Sequence, residues 1–228
     1  MDDQHGNTVA RRTAVGLFAG GAAMLLGGCG LSTTRASYRF RMTVVTWSAN
    51  GSGVLRVNAS KSIALTVHEH AGGAGLTGQA VVIDLPTGPV FALLTIGDGK
   101  PLLATQVTRA LAPGVNTLDA SDFLETVDRL ESGSGAAKAE LPRADWPMMV
   151  RFRDLNDSTT VELVDPATIG VRRIVVQTTR DDVTTGLRTR LPWLSNGGLT
   201  LDPDARPTIT PTFPQMIRQR ALTTEIPR

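Results

Sequence analysis

The sequence predicts an α+β fold, a single β-rich domain of mainly antiparallel sheet with one or two short covering helices. Three observations carry this. Residues 38–47 alternate apolar and polar with a period of two, as a strand with one buried face does. Residues 79–85 and 90–96 are apolar runs on either side of Pro86-Thr87-Gly88-Pro89, the pattern of a hairpin covered on both faces. From Leu102 to Leu130 the apolar spacing changes to the three and four of a helical stripe. With 228 residues, 41% of them hydrophobic and 19% charged, the chain is long enough for one such domain with a full core.

A distinct leader precedes that domain. Arg11 and Arg12 are followed by a run from Ala14 to Gly30 that is apolar or glycine except for Cys29, 17 residues with six glycines. A cationic start, a short apolar stretch and small residues before a cut site are the parts of an export signal. The run sits at the lower limit for crossing a bilayer core of ~30 Å at ~1.5 Å per residue, so an export signal is preferred over a retained membrane helix. Arg11-Arg12 is followed by Thr13, Ala14 and Val15 instead of the Phe-Leu-Lys pattern of twin-arginine signals, and reads as an ordinary positive start.

Leu26, Gly27, Gly28 and Cys29 resemble the lipobox of bacterial lipoproteins, an aliphatic residue and two small ones ahead of the acylated cysteine. The resemblance implies signal processing at Leu26-Gly27-Gly28, lipidation of Cys29, and a mature domain held at a membrane outside the cytoplasm. Cys29 is the sole cysteine, so no disulfide partner competes for it. Acyl chains at this site imply stable anchoring, at ~0.8 kcal/mol per buried CH2. The expected organisation is a signal peptide over 1–28, a tether over 29–37, a domain over 38–202 and a proline-rich extended tail over 203–228.

Within the domain, Tyr38 to Trp47 forms the first strand, and Asn50-Gly51-Ser52-Gly53 supplies a turn back through Val54 to Val57. Ile63, Leu65 and Val67 alternate again, and the glycine-rich Ala71 to Gly78 is expected to break regular structure. After the 79–96 hairpin, Leu102, Leu103, Val107, Ala110 and Leu111 mark a helix closed by Pro113-Gly114. A second helix runs from Ser121 to Leu130, with Asp119 or Ser121 as its cap. Ser132 to Ala139 reads as a loop. Strands resume over 148–153, 160–164 and 171–179, with a turn at Asn156-Asp157. Five of the 13 prolines lie at or beyond Pro203, which argues against regular structure there.

The stretch Asp181 to Leu194, with Tyr38 to Arg41 and Val81 to Leu85, is similar to segments of short uncharacterised proteobacterial envelope proteins. The resemblance implies one mature domain and brings no mechanism.

Composition excludes some functions. The leader carries Asp2, Asp3, Arg11 and Arg12, which cancel, so the formal charge is +2 with or without it. So small an excess argues against a nucleic-acid partner. Nucleophile elbows, phosphate loops and zinc-protease helices are absent from the sequence. Asp154, Asn156 and Asp157 lack the glycine and glutamate of a calcium loop and read as a turn.

Two clusters remain. His68 and His70, two apart on a strand, share a face and could reach one metal if an acid supplied a further ligand. The competing reading is a pair of solvated histidines. Arg39 and Arg41, Arg151 and Arg153, and Arg188 and Arg190 are also spaced by two. Were their strands neighbours, they would form a guanidinium patch for phosphate or carboxylate groups. The alternative is a solvated face balanced by acids. The expectation for the whole is a lipid-anchored binding or assembly component of a membrane-associated envelope complex, with no cofactor beyond the covalent lipid. An envelope hydrolase or metalloprotein centred on His68 and His70 is the alternative. Trp193, after Pro192, is a candidate exposed contact for a protein partner.

Overall fold

A computed structural model describes residues 35–47, 55–68, 73–96, 103–133, 135–202, 204 and 209–224. For residues 35, 55–68 and 73–74 it describes the backbone alone. All fall within one compact unit, residues 33–228.

The described residues form nine strands in two antiparallel sheets, an α+β domain rich in strand. The larger sheet holds β1 (Arg35–Trp47), β2 (Leu55–His68), β3 (Gly73–Thr77), β6 (Lys138–Glu140) and β9 (Val171–Thr178), in the order β3-β2-β1-β9-β6. The smaller holds β4 (Val81–Leu85), β5 (Gly88–Ile96), β7 (Pro147–Phe152) and β8 (Val161–Leu163), in the order β4-β5-β7-β8. Two helices of more than one turn, α1 (Leu103–Leu111) and α2 (Ala120–Ser132), join the sheets in sequence.

β1 is the centre of the larger sheet. Its alternation puts Ala36, Tyr38, Phe40, Met42 and Val44 into the core, at no more than 4% exposure, and leaves Arg39 and Arg41 on the other face. The register against β2 shifts between Val44 and Val45, and that against β9 shifts one residue later. Such a bulge re-aims the following residues, which explains why Val44, Val45 and Thr46 are all buried. Tyr38 Oη lies 3.0 Å from Thr108 Oγ1 on α1. Thr108 gives its own hydrogen to the Ala104 carbonyl, so the phenol donates. Burial pushes the Tyr38 pKa well above its usual value.

The smaller sheet is covered on both faces, as the apolar runs of β4 and β5 predict. Val81, Ile83, Val90, Ala92, Leu94 and Met149 share a core with the larger sheet and with Leu103, Val107, Phe123 and Val127 of the helices. The alternate residues Val82, Phe91, Leu93, Val150, Phe152 and Val161 meet a second core built from residues 187–201 and 213–222. Phe91, Phe152 and Trp193 stack edge to face in sequence, at 5.5 and 5.4 Å.

The helices follow their stripes. α2 buries Phe123, Leu124, Val127 and Leu130, and Asp119 caps it by accepting from the amides of Ser121 and Asp122. Those contacts hold the Asp119 carboxyl below its usual pKa, the Asp122 amide most strongly. Gly114, past the end of α1, adopts φ 95°, a conformation that favours glycine.

Several boundaries differ from the sequence expectation. β1 begins at Arg35, so the last residues of the expected tether belong to the sheet. β2 is one 14-residue strand where two short ones were expected. The glycine-rich stretch holds β3, which pairs Gly73 with His68 and Leu76 with Leu65. An edge strand needs only backbone groups to extend a ladder, so few side chains announce it. β6 likewise overlaps the end of the expected 132–139 loop and pairs Lys138 with Gln177. The Asn50–Gly53 turn lies outside the described residues.

The largest difference is the tail. Residues 209–224 are not an extended arm: Ile217, Ala221 and Leu222 are buried against the smaller sheet. Its backbone follows the start of β4, with Ala80 N donating to Leu222 O at 2.7 Å and Thr224 N to Gly78 O at 3.0 Å. Proline forbids long regular elements but tolerates short turns, and α4 (Phe213–Met216) carries Pro214 in its first turn.

Candidate functional site

At the β8 edge of the smaller sheet three segments surround a cleft of about 980 Å3. The first is the turn Arg143–Asp145 leading through Trp146 into β7. Pro142 sets its entry, and Trp146 Nε1 donates to the Leu141 carbonyl at 2.9 Å, seating the indole with one face toward Arg143. The second runs from Leu163 at the end of β8 to Ala167. Asp165 Oδ1 accepts from Ala167 N at 2.9 Å, an Asx turn that closes this wall. The third is α4, whose Thr212–Gln215 capping box fixes its start.

The third segment is tied down by residues 199–202. Leu201 N is 3.2 Å from Pro214 O and 3.0 Å from Ile217 O, and Gln215 Nε2 donates to Asp202 Oδ2 at 3.0 Å. These bonds hold Phe213 and Met216 across from β8. The lining is mainly apolar, with Trp146, Pro147, Met148, Met149, Leu163, Phe213, Met216 and Ile217 among its residues. Leu163 is 63% and Met216 55% exposed, so apolar surface is open to the outside. Arg143 and Asp165 are the ionisable side chains of the lining, and a second small hollow beside it is bounded by Arg218 and Arg220.

This cleft was not legible as a motif, because its residues come from three separate segments. One signal existed: beyond the leader the methionines are Met42, Met148, Met149 and Met216, and three of these four line the cleft. Methionine suits a surface that must fit an apolar guest of varied shape.

The spaced arginines do not form one patch. Arg39 and Arg41 lie on β1 of the larger sheet, Arg151 lies on β7 of the smaller, and Arg153 lies just past the end of β7. Arg188 and Arg190 are on a helical turn, α3 (Leu187–Arg190), and not on a strand. Gly186 at φ 104° turns the chain into α3 and Leu187 is buried, which breaks the two-residue period assumed for a strand. Most of these arginines also have acidic partners. Arg39 contacts Asp182 at 3.1 Å, and Arg41 pairs with Asp181. Arg151 and Arg153 share Glu162, each at 3.1 Å, and Arg190 holds Asp84 through both oxygens at 2.5 and 3.0 Å. Exposed pairs of this kind contribute little to stability, ~0–1 kcal/mol each. They do, however, cancel the field that a bound anion would need.

Asp154, Asn156 and Asp157 form the expected turn, with Asp154 Oδ1 accepting from Asn156 N at 2.8 Å and Asp157 Oδ1 from Thr159 N at 2.9 Å. Trp193 is half-buried instead of exposed: it packs on Phe152 and donates Nε1 to Leu155 O at 2.9 Å. It anchors the second core, and the open apolar surface lies beside β8 instead. His68 ends β2, in register with Arg35 and Gly73. Glu69 and His70 lie outside the described residues, as do Leu26, Gly27, Gly28 and Cys29. Among the described residues no three His, Cys, Asp or Glu side chains gather as a metal site.

Comparison of the chain with protein-family models, with curated proteins and with solved structures finds no match in any of the three.

Proposed function

We propose that this chain is a lipid-anchored bacterial envelope protein whose β-rich domain is a binding module, serving as an accessory or scaffold component of a membrane-associated complex. The anchoring half of the reading rests on Leu26-Gly27-Gly28-Cys29 and the cationic, apolar leader before it. The binding half rests on one observation, the open apolar cleft beside β8. Its lining offers contact area: of its two ionisable side chains, Asp165 is engaged in closing a turn and Arg143 lies over Trp146. A site of this composition recognises by fit and desolvation.

The test is affinity purification of the tagged full chain from membranes in mild detergent, with mass spectrometry of the intact bait and of whatever accompanies it. The expected result is a mature mass beginning at acylated Cys29, together with stoichiometric envelope proteins. An amino terminus that is unprocessed, or a bait that comes alone from every extraction, overturns the anchored scaffold.

A further inference from the structure

We propose that the cleft beside β8 binds one acyl chain of an anionic glycerophospholipid, with the tail over Trp146, Met148, Leu163 and Met216 and the phosphate on the arginine side of the rim. This deepens the binding reading above and rests on it.

Size and chemistry agree. About 980 Å3 is at the upper end of the range for small-molecule sites, ~300–1,000 Å3. The lining is aliphatic, thioether and aromatic, which desolvates a hydrocarbon chain without leaving a polar group unpaired. An extended peptide adding to the sheet is a poorer fit. β8 has three residues, Val161–Leu163, too short a ladder to register a strand, and α4 lies across from it.

Charge supplies the second argument. Arg39, Arg41, Arg151, Arg153 and Arg190 are each matched by a carboxylate. Arg143, Arg218 and Arg220, which border the cleft and the hollow beside it, are in none of the ion pairs among the described residues. Against these three cations the lining sets a single acid, Asp165, whose Oδ1 already accepts from Ala167. The linings of the cleft and of the hollow beside it therefore carry three arginines against one acid. An apolar trough with an uncompensated positive rim complements an amphiphile with a phosphate head.

Trp146, in the lining, provides the readout. The acylated full chain is reconstituted in phosphatidylcholine vesicles containing a minor fraction of phosphatidylglycerol brominated on its acyl chains, and tryptophan emission is followed. Bromine quenches only at close range, so strong quenching that disappears in Trp146→Phe is expected. Leu163→Glu, at an exposed position, should abolish it, and circular dichroism checks that the fold is kept. The triple variant R143Q/R218Q/R220Q should bring quenching down about tenfold, the loss expected for a charge-assisted contact, to the level given by brominated phosphatidylcholine. Equal quenching by the two lipids in the unaltered chain overturns the anionic head group. Quenching that survives both Trp146→Phe and Leu163→Glu overturns the site. So does a stoichiometric partner protein that crosslinks through Leu163 while brominated lipid leaves Trp146 unquenched. Intact mass and partner recovery on the same preparation report separately on the scaffold reading. A chain acylated at Cys29 and bound to its partners, yet unquenched, retires the lipid site alone.

Discussion

The two faces of the smaller sheet are equally apolar but are covered in different ways. One face meets α1, α2 and the five-stranded sheet, elements with a regular period. The other meets residues 187–201 and 213–222, in which no described helix exceeds four residues. Regular elements satisfy their own backbone groups, whereas an irregular cover must find a partner for each one. The second face accordingly depends on individual bonds: Gln79 Oε1 to Leu187 N at 3.0 Å, Ser158 Oγ to the Leu201 carbonyl, and the Ala80–Leu222 and Leu201–Ile217 backbone pairs. What differs is how local the stabilisation is. The helical face spreads it over stripes, and the irregular face concentrates it at anchors.

The largest effect should come from the residue at the centre of the irregular face. Phe91 is fully buried and packs on Phe152, so Phe91→Ala should cost about 3–5 kcal/mol, read as a lowered midpoint in denaturant. Matched truncations then compare the covers. Leu103→Ala on α1 and Leu222→Ala in the tail both remove a side chain that is 0% exposed, and each should cost about 2–5 kcal/mol. If the tail were a dispensable arm, Leu222→Ala would leave unfolding unchanged, and the comparison between faces would collapse.

Smaller changes separate packing from bonding. Gln79→Leu keeps apolar volume but strands the Leu187 amide, at about 1–3 kcal/mol, and should raise hydrogen exchange at Leu187 first. Asp84→Asn weakens an exposed pair with Arg190 and should stay within about 1 kcal/mol. The regular face has its own weak point in acid. Because the folded Asp119 carboxyl titrates below its ordinary value, its capping contribution is complete above about pH 3.9 and is lost as pH falls through the depressed folded value. Asp119→Asn, which caps without ionising, should flatten that acid limb in thermal unfolding between about pH 7 and about pH 2.

Legibility followed the same division. β1, the β4–β5 hairpin, α1, α2 and β9 were readable because each repeats a period over several residues. β3 and β6 were not, since Gly73–Thr77 and Lys138–Glu140 are edge strands recruited by the backbone of a neighbour. The packing of the tail was not legible for a related reason. Its prolines were visible, but Ile217, Ala221 and Leu222 have no period, and their burial exists only because the smaller sheet presents an apolar face to cover. For the arginines, two-residue spacing indicated a shared face within one strand but not which strands adjoin. The acids Asp84, Glu162, Asp181 and Asp182 that answer them come from other elements.

By itself the sequence determined the α+β class, the core positions of the periodic elements and the Asp119 cap of α2, because these depend on neighbours within a few residues. It also carries the leader motif at Cys29, on which the anchoring proposal rests. Only the tertiary structure decided which cover lies on which face, which arginines are neutralised, and that Trp146, Met148, Leu163 and Met216 meet around one cleft. Those outcomes depend on contacts between residues tens of positions apart, and a local pattern holds no record of such pairings until the chain has closed on itself.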